Sequence, residues 1–265
     1  MNRLYVELKA EMDALNADFD LLLVNASTEL TELEEKCEHA NIILLTVLPC
    51  GNEYGCDYLK MLEYRKTVIA LTDPFLSDFC NYVALDNRAV GRLAGKALLA
   101  AGCRRPVFIN GSTYNIMFQK RYEGIREFMK EAGVSFPAYS FQPRPEHFQE
   151  IRRMELLDAL AAGHDGAFIA SDEGIDYITH DLFEQGLVPE RFKLITLHGS
   201  GEALCCPTPI ACVNHATSGV VEVLMDHLKK LSRNPDVPPL WRLIKPELYL
   251  SQTIGHIDAK QLEVL

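Results

Sequence analysis

Near-continuous apolar runs alternate with amphipathic stretches along most of this chain. In the first third, apolar runs at residues 19–24, 42–47 and 67–71 are separated by helical patterns at 30–40 and 54–64. Apolar runs without polar alternation are typical of parallel strands that helices cover on both sides. The pattern therefore predicts an α/β protein built on parallel sheets.

The alternation continues through the rest of the chain. Further strands are predicted near residues 106–110, 138–142, 166–170, 193–197 and 210–214. Helical patterns cover residues 88–101, 117–132, 147–162, 173–186 and 216–231. No internal repeat or Gly/Ser-rich linker interrupts the sequence, and residues 234–239 form a turn-rich connection.

Residues 83–112 carry the clearest local signals. Asp86 and Asn87 have side chains that can cap the start of a helix. Apolar residues then recur at helical spacing, and Gly102 suits the left-handed position that closes a helix. Because an apolar strand follows at Val107, this segment is predicted to form a strand, a helix and a strand in direct succession.

The same segment resembles the effector-binding domain of the lactose/galactose repressor (LacI/GalR) family. The resemblance rests on a hydrophobic strand, Asp-Asn, a Gly-Arg-Leu-Ala helix, a Gly-x-Arg-Arg turn and a strand that ends in Gly. Later motifs follow the family's order: Arg121-Tyr-Glu-Gly124, Glu131-Ala-Gly-Val134, Phe168-Ile-Ala-Ser-Asp-Glu173, Glu184-Gln-Gly-Leu-Val-Pro189, Pro209-Ile-Ala-Cys-Val213 and Pro246-Glu-Leu-Tyr-Leu-Ser251.

The resemblance implies a two-lobed, periplasmic-binding-protein-like fold. Each lobe is then a parallel sheet flanked by helices, and the chain crosses between the lobes three times. By analogy, the N-lobe takes residues 1–102 and 215–238, and the C-lobe takes residues 103–214 and 239–265. The length of 265 residues is sufficient for two separate cores.

Two segments depart from the family's pattern. The sequence enters a helical pattern from Leu4, where the family opens with a strand that follows its DNA-binding head. His198 stands where the family commonly has an Asp after an aromatic residue. A histidine keeps hydrogen-bonding capacity but lacks the fixed negative charge, so the usual sugar contacts cannot simply be transferred.

Composition restricts the location and the chemistry of the protein. No apolar run approaches the length of a membrane span, and Arg3, Glu7 and Lys9 interrupt the region where a signal peptide needs an apolar core. We therefore expect a cytoplasmic protein. The eight cysteines are scattered without CxxC or HExxH spacing, which favours reduced thiols over disulfides or a metal site.

Charge and motifs argue against direct DNA binding and against catalysis. The net charge is −11, and the basic pairs Arg104-Arg105, Arg152-Arg153 and Lys229-Lys230 are short enough to belong to solvated faces. DNA contact is expected to come from a segment outside these 265 residues. No Gly-x-Ser-x-Gly, GxGxxG or Walker A motif occurs, so neither an enzyme nor a cofactor is predicted.

Candidate ligand contacts fall where predicted strands end. They are Asp86, Arg121, Ser171, Asp172 and His198. Ligands collect at the carboxyl ends of parallel strands, and in the resembled fold the two lobes present these ends to each other across a cleft. Each position has an alternative role: helix capping for the two aspartates and Ser171, a surface ion pair with Glu123 or Glu127 for Arg121, and a satisfied polar residue for His198.

Two weaker candidates complete the predicted site. Phe118 could stack on a sugar ring, although an aromatic residue on a helix is more often part of a core. His215 follows the strand near 210–214, close to the third crossover. No metal ligands are predicted.

The sequence therefore predicts the effector-binding and dimerisation module of a LacI/GalR-like regulator. It would close its lobes on a small polar ligand, such as a sugar or a sugar derivative, and pass the change through a homodimer to DNA-binding heads. A stand-alone periplasmic-type solute-binding protein is the alternative with the same fold. A truncated or degenerate product without a function of its own is the third possibility.

Overall fold

A computed structural model describes residues 3–18, 35, 38, 42–45, 67–71, 81–109, 116–139, 148–198, 202–214, 216–234, 236–255 and 257. The predicted strand at 19–24 and the predicted helix at 54–64 lie outside these residues, as does nearly all of the helix at 30–40.

The described elements are named in chain order. They are α1 (Arg3–Ala14), β1 (Ile42–Leu45), β2 (Thr67–Ala70), β3 (Asn81–Leu85), α2 (Asn87–Ala100), β4 (Pro106–Ile109), α3 (Ile116–Glu131), β5 (Ala138–Tyr139), α4 (Phe148–Ala161), β6 (Gly166–Ile169), α5 (Ile175–Glu184), β7 (Lys193–His198), α6 (Glu202–Cys205), β8 (Ala211–Asn214), α7 (Thr217–Leu231), β9 (Trp241–Ile244) and β10 (Glu247–Tyr249), followed by a 3₁₀ turn at Gln252–Ile254.

The chain divides into two compact units. Unit 1 contains Met1–Leu85 and Ala216–Ile244, and unit 2 contains Asp86–His215 and Lys245–Leu265. The chain thus passes from one unit to the other three times, as the predicted fold class requires. The predicted lobe boundaries place the first division after Gly102, whereas the contacts place it after Leu85, because α2 packs on α3 and on the strands of unit 2.

Unit 1 is a four-stranded parallel sheet in the order β1-β2-β3-β9. Its core joins the sheet to the apolar faces of α1 and α7. The fully buried members include Leu8 of α1, Ile69 of β2, Val83 of β3 and Leu224 of α7. This agrees with the apolar runs in the sequence, which supply the strand residues of the core.

Unit 2 is a six-stranded sheet in the order β10-β8-β7-β6-β4-β5. All neighbouring pairs are parallel except β10 with β8, and that antiparallel edge strand was not predicted. Every residue of β4 and β6 is buried. The predicted α/β class with parallel sheets is confirmed. No helix in the described part of the chain is both long and apolar enough to cross a membrane.

The helices α2 and α3 cross at two glycines. A Cβ atom on Gly91 would overlap the carbonyl oxygen of Arg121, and a Cβ atom on Gly124 would overlap the carbonyl oxygen of Arg88. The two backbones are therefore in direct contact, which only glycine allows. This crossing fixes the start of α2, which follows Asp86, and the N-terminal half of α3, which carries Phe118 and Arg121.

Candidate ligand-binding site

The strands of unit 2 bring several candidate residues to one edge. Ile109 at the end of β4 pairs with Ile169 at the end of β6, and Ile169 pairs with Thr196 of β7. His198, the last residue of β7, pairs with Asn214, the last residue of β8. Because these strands are parallel, the segments that follow them share the carboxyl edge of the sheet, where ligands bind in open α/β folds.

Asp86 begins α2 and caps it. One carboxylate oxygen, Oδ1, accepts a hydrogen bond from the backbone N–H of Ala89 at 2.9 Å. This confirms the capping role predicted for Asp86. A carboxylate has two oxygens, so the cap leaves a second acceptor on Asp86 beside the positive end of the helix dipole.

Arg121 is buried and joins α2, α3 and β6. It is 3% exposed. Its Nε donates to Oδ1 of Asn87 at 2.8 Å, and its Nη1 donates to the carbonyl oxygen of Ala170 at 2.7 Å. The guanidinium carbon lies 5.1 Å from the centre of the Phe118 ring. Arg121 is therefore not the surface ion pair of the alternative interpretation, and it holds the start of α2 at the carboxyl edge of the sheet.

Ser171 and Asp172 follow β6 directly. The hydroxyl of Ser171 accepts from the backbone N–H of Glu173 at 3.3 Å, which makes a local turn. Asp172 is 1% exposed. Burial raises the pKa of the Cys212 thiol in β8 to about 12, and the nearby charge of Asp172 adds to this effect. Asp172 therefore lies close to the neighbouring strands rather than on an outer surface.

Arg152 of α4 was not predicted as part of this region, and its assignment to a solvated face is wrong. The side chain is 1% exposed. Its Nη2 donates to the carbonyl oxygen of Ser171 at 2.6 Å, and its Nη1 donates to that of Glu173 at 3.2 Å. The sequence does indicate that Arg152 is buried, because the buried residues Leu156 and Ala159 follow it at spacings of four and seven and so lie on the same face of the helix.

Glu155 lies one turn after Arg152 on α4. Burial raises the pKa of its carboxyl group to about 7, while the positive charge of Arg152 opposes that rise. Its Oε2 has no hydrogen-bond partner among the described residues. The outward neighbour Arg153, in contrast, forms an ion pair with Asp181 of α5 at 2.6 Å.

The two candidate histidines are only partly located. The backbone of His198 ends β7, but its side chain lies outside the described residues, as does the whole of His215. Both remain predicted contacts. Among the described residues, no group of His, Cys, Asp or Glu is arranged to bind a metal ion. Four cysteines are described, and they are thiols that form no disulfide: Cys103, Cys205, Cys206 and Cys212.

Comparison with known proteins identifies the family. A sequence profile of the periplasmic binding protein-like domain matches residues 95–254. This chain belongs to that family. The match covers α2 from Gly95 onward and runs to the 3₁₀ turn, so it includes Arg121, Arg152, Ser171 and Asp172. No protein of curated function matches the chain.

Solved structures share the fold of this periplasmic binding protein-like chain. A complex of the transcriptional regulator CelR with cellobiose is 21% identical with a TM-score of 0.77, covering 94% of this chain and 77% of that one. A LacI-family regulator from Enterococcus faecium with bound ribose is 15% identical with a TM-score of 0.77, at 94% and 92% coverage. A periplasmic binding protein/LacI regulator from Alkaliphilus metalliredigens with D-xylulofuranose is 16% identical with a TM-score of 0.74, at 95% and 92%. The predicted two-lobed fold is confirmed.

Proposed function

We propose that this chain is the effector-binding domain of a LacI/GalR-type transcription regulator and that it binds a sugar or a sugar derivative. The observation that carries the proposal is the meeting of α2, α3 and the end of β6 at Arg121. Around this arginine lie the capped start of α2 and the Ser171-Asp172 turn. The carboxyl edge of the sheet in unit 2 is the proposed binding surface.

The residues at this edge suit a ligand rich in hydroxyl groups. The carboxylates of Asp86 and Asp172 can accept hydrogen bonds from hydroxyl groups. Arg121 contributes a guanidinium group, which in arginine carries five N–H donors in a planar arrangement. Sites for small polar ligands commonly combine a few such groups with an apolar wall, which the ring of Phe118 beside Arg121 would supply. His198 and His215 are proposed as further contacts.

The similar structures support this ligand class and this kind of protein. Three of them hold cellobiose, ribose or D-xylulofuranose, and all three are described as transcriptional regulators. In this proposal the chain has no catalytic role, no cofactor and no metal. It acts in the cytoplasm as a homodimer and reaches DNA through a segment outside these 265 residues.

The proposal is tested by calorimetric titration with ribose, xylulose and cellobiose. We expect at least one of them to bind with micromolar-scale affinity, which corresponds to about −8 kcal/mol. Asp86→Asn separates the two roles of this residue, because Asn caps helices as well as Asp but lacks the charge. Affinity should fall about tenfold while thermal stability stays unchanged. Asp226→Asn on α7 is the matched control and should bind as the wild type does.

Two results would contradict the proposal. Absence of binding to the whole panel would remove the sugar ligand, and equal affinities of the wild type and Asp86→Asn would remove Asp86 from the site. Sedimentation equilibrium then separates the two kinds of protein: a dimer supports the regulator, and a strict monomer supports the solute-binding alternative.

A further inference from the structure

The turn between β6 and α5, residues 170–174, is held at every carbonyl. The carbonyl oxygens from Ile169 to Gly174 all accept hydrogen bonds. Their donors are Thr196 Oγ1 to Ile169 at 2.9 Å, Arg121 to Ala170 at 2.7 Å, Arg152 to Ser171 at 2.6 Å and to Glu173 at 3.2 Å, Ile175 N to Asp172 at 3.1 Å and Ile178 N to Gly174 at 3.0 Å. The backbone on both sides of Asp172 is thus fixed by the protein itself.

Arg152 contacts the turn from a separate helix, α4. Its two terminal nitrogens reach the carbonyls before and after Asp172, so one rigid group sets the spacing of both. Hydrogen bonds from a charged donor are shorter and stronger than those between neutral groups. A lysine has one nitrogen at the end of a flexible stem and cannot reproduce this planar fork.

The start of α4 also packs closely against the end of the turn. Gly174 has a φ of +69°, a conformation that suits glycine. A Cβ atom there would lie 2.5 Å from Cδ and Nε2 of Gln149. Gln149 and Arg152 are three residues apart on α4 and therefore share a face, so this face of α4 contacts the turn twice.

An apolar side chain at position 152 could fill the same space but could not donate to the turn. Burying a guanidinium removes its hydration, and the two hydrogen bonds to the carbonyls of Ser171 and Glu173 offset part of that cost. The other buried residues on this face of the helix, Leu156 and Ala159, are apolar. What arginine adds to this face is therefore a pair of hydrogen bonds to the turn that carries Asp172.

We propose that Arg152 is a positioning residue of the binding site, which fixes the Ser171–Glu173 backbone so that Asp172 is set before the ligand arrives. The inference rests on the proposed function, because it assigns Asp172 to ligand binding. Preorganisation of this kind raises affinity by removing the ordering cost from the binding step.

Amide hydrogen exchange of the ligand-free chain tests the positioning role directly. In Arg152→Lys, the amides of Glu173 and Ile175 should exchange about tenfold faster, while core amides such as Phe168 and Leu194 keep their wild-type rates. Arg153→Lys is the matched control, since it removes the same group one residue away, where it faces Asp181. Unchanged turn amides, or equal acceleration at all sites, would overturn the positioning role and leave only a contribution to global stability.

Titration with ribose, xylulose and cellobiose supplies a second readout. The affinity of Arg152→Lys for the sugar that binds the wild type should fall about tenfold, and that of Arg153→Lys should match the wild type. If that sugar binds the wild type and Arg152→Lys equally well, the inference is wrong and the proposed function stands. If ribose, xylulose and cellobiose all fail to bind the wild type, the proposed function fails and the exchange rates alone decide whether Arg152 positions the turn.

Discussion

Unit 2 uses arginine in two contrasting regions. In the β6–α5 turn, Arg121 and Arg152 are buried and donate to backbone carbonyls. At the crossing of α2 and α3, Arg88 and Arg92 are exposed and pair with carboxylates of α3. The same side chain therefore fixes a backbone in one region and links two helix surfaces in the other.

The exposed pairs at the crossing have good geometry. Both nitrogens of the Arg88 fork meet Glu127, with Nε to Oε2 at 3.0 Å, and Arg92 meets Glu131 with Nη1 to Oε1 at 3.0 Å and Nη2 to Oε2 at 2.7 Å. The hydrogen bonds from Arg88 hold the pKa of Glu127 below its ordinary value, and those from Arg92 do the same for the pKa of Glu131. Water and salt nevertheless screen such pairs strongly.

The two regions therefore depend on different physical terms. At the crossing, the close approach of the backbones at Gly91 and Gly124 sets the geometry, and the ion pairs add to it. In the turn, Arg152 reaches across from another helix and donates to the carbonyls of Ser171 and Glu173, so a side chain contributes directly to the backbone geometry. The comparison predicts that, at the crossing, replacing a glycine lowers the free energy of unfolding most and replacing an arginine lowers it least.

Gly124→Ala gives the largest expected effect. The new Cβ atom would overlap the backbone carbonyl of Arg88, which cannot move as the end of a side chain can, so α2 and α3 must separate. We expect a loss of about 3 kcal/mol in the free energy of unfolding, measured by urea denaturation.

Gly219→Ala on α7 is the control for Gly124→Ala. It is also helical, but among the described residues its Cβ atom would meet only the Cγ2 methyl group of Ile244, at 3.1 Å, and no backbone atom. Alanine favours a helix by about 1 kcal/mol over glycine, so this variant should be close to the wild type or more stable. A Gly124→Ala variant as stable as Gly219→Ala would show that the crossing does not depend on backbone contact.

Glu155 in the turn region and Glu131 at the crossing should change the free energy of unfolding in opposite directions as the pH rises. The pKa of Glu155 is raised to about 7 in the fold and is near 4.5 in the unfolded chain. Between these values the folded chain binds more protons, so the contribution of Glu155 to stability falls as pH rises from about 4.5 to 7 and stays low above that. Glu155→Gln should abolish this loss, worth about 1 to 2 kcal/mol after allowance for the partial exposure of the group.

Glu131→Gln at the crossing provides the opposite sign. The pKa of Glu131 is lowered by Arg92, so its contribution is present above the unfolded pKa and is lost as pH falls. Urea denaturation from pH 4 to pH 8 measures both variants. If Glu155→Gln keeps the wild-type pH profile, the carboxyl group beside Arg152 is not held protonated by the fold.

Local signals in the sequence were sufficient for much of unit 2. The cap at Asp86, the helix after it and the strand at Val107 depend on neighbouring residues, and the structure has all three. The crossing of α2 and α3 was not predictable in this way, because Gly91 and Gly124 weaken a helical pattern and their partners lie at least thirty residues away in the sequence. For the same reason the predicted boundary after Gly102 differs from the division after Leu85 that the contacts of α2 produce.

The role of Arg152 shows a second limit. Charge placed it with Arg153 on a solvated face, and only its helical register with Leu156 and Ala159 indicates burial. Even that register does not identify the acceptors, which are carbonyls about twenty residues later in the chain. The two aspartates could be proposed as candidates because carboxylates at strand ends form a local sequence pattern, whereas every residue has a backbone carbonyl and the sequence does not distinguish them.

The ion pairs at the crossing give the smallest expected effect. A double-mutant cycle with Arg88→Met and Glu127→Gln isolates the coupling between the two side chains. Because both groups face water, the coupling at low salt should be weak, and it should vanish in about 1 M NaCl, where the screening length is about 3 Å. Arg92→Met with Glu131→Gln should behave in the same way.

The buried residue Arg152 is the reference for the salt dependence of the exposed ion pairs. The Arg152 side chain is 1% exposed and its partners are neutral carbonyls, so the loss of stability in Arg152→Lys should be the same at both salt concentrations. If the coupling between Arg88 and Glu127 persists in 1 M NaCl, this pair is as insensitive to salt as the arginines of the turn are expected to be. The crossing would then depend on arginine as well as on glycine, and the contrast between the two regions would reduce to one of burial alone.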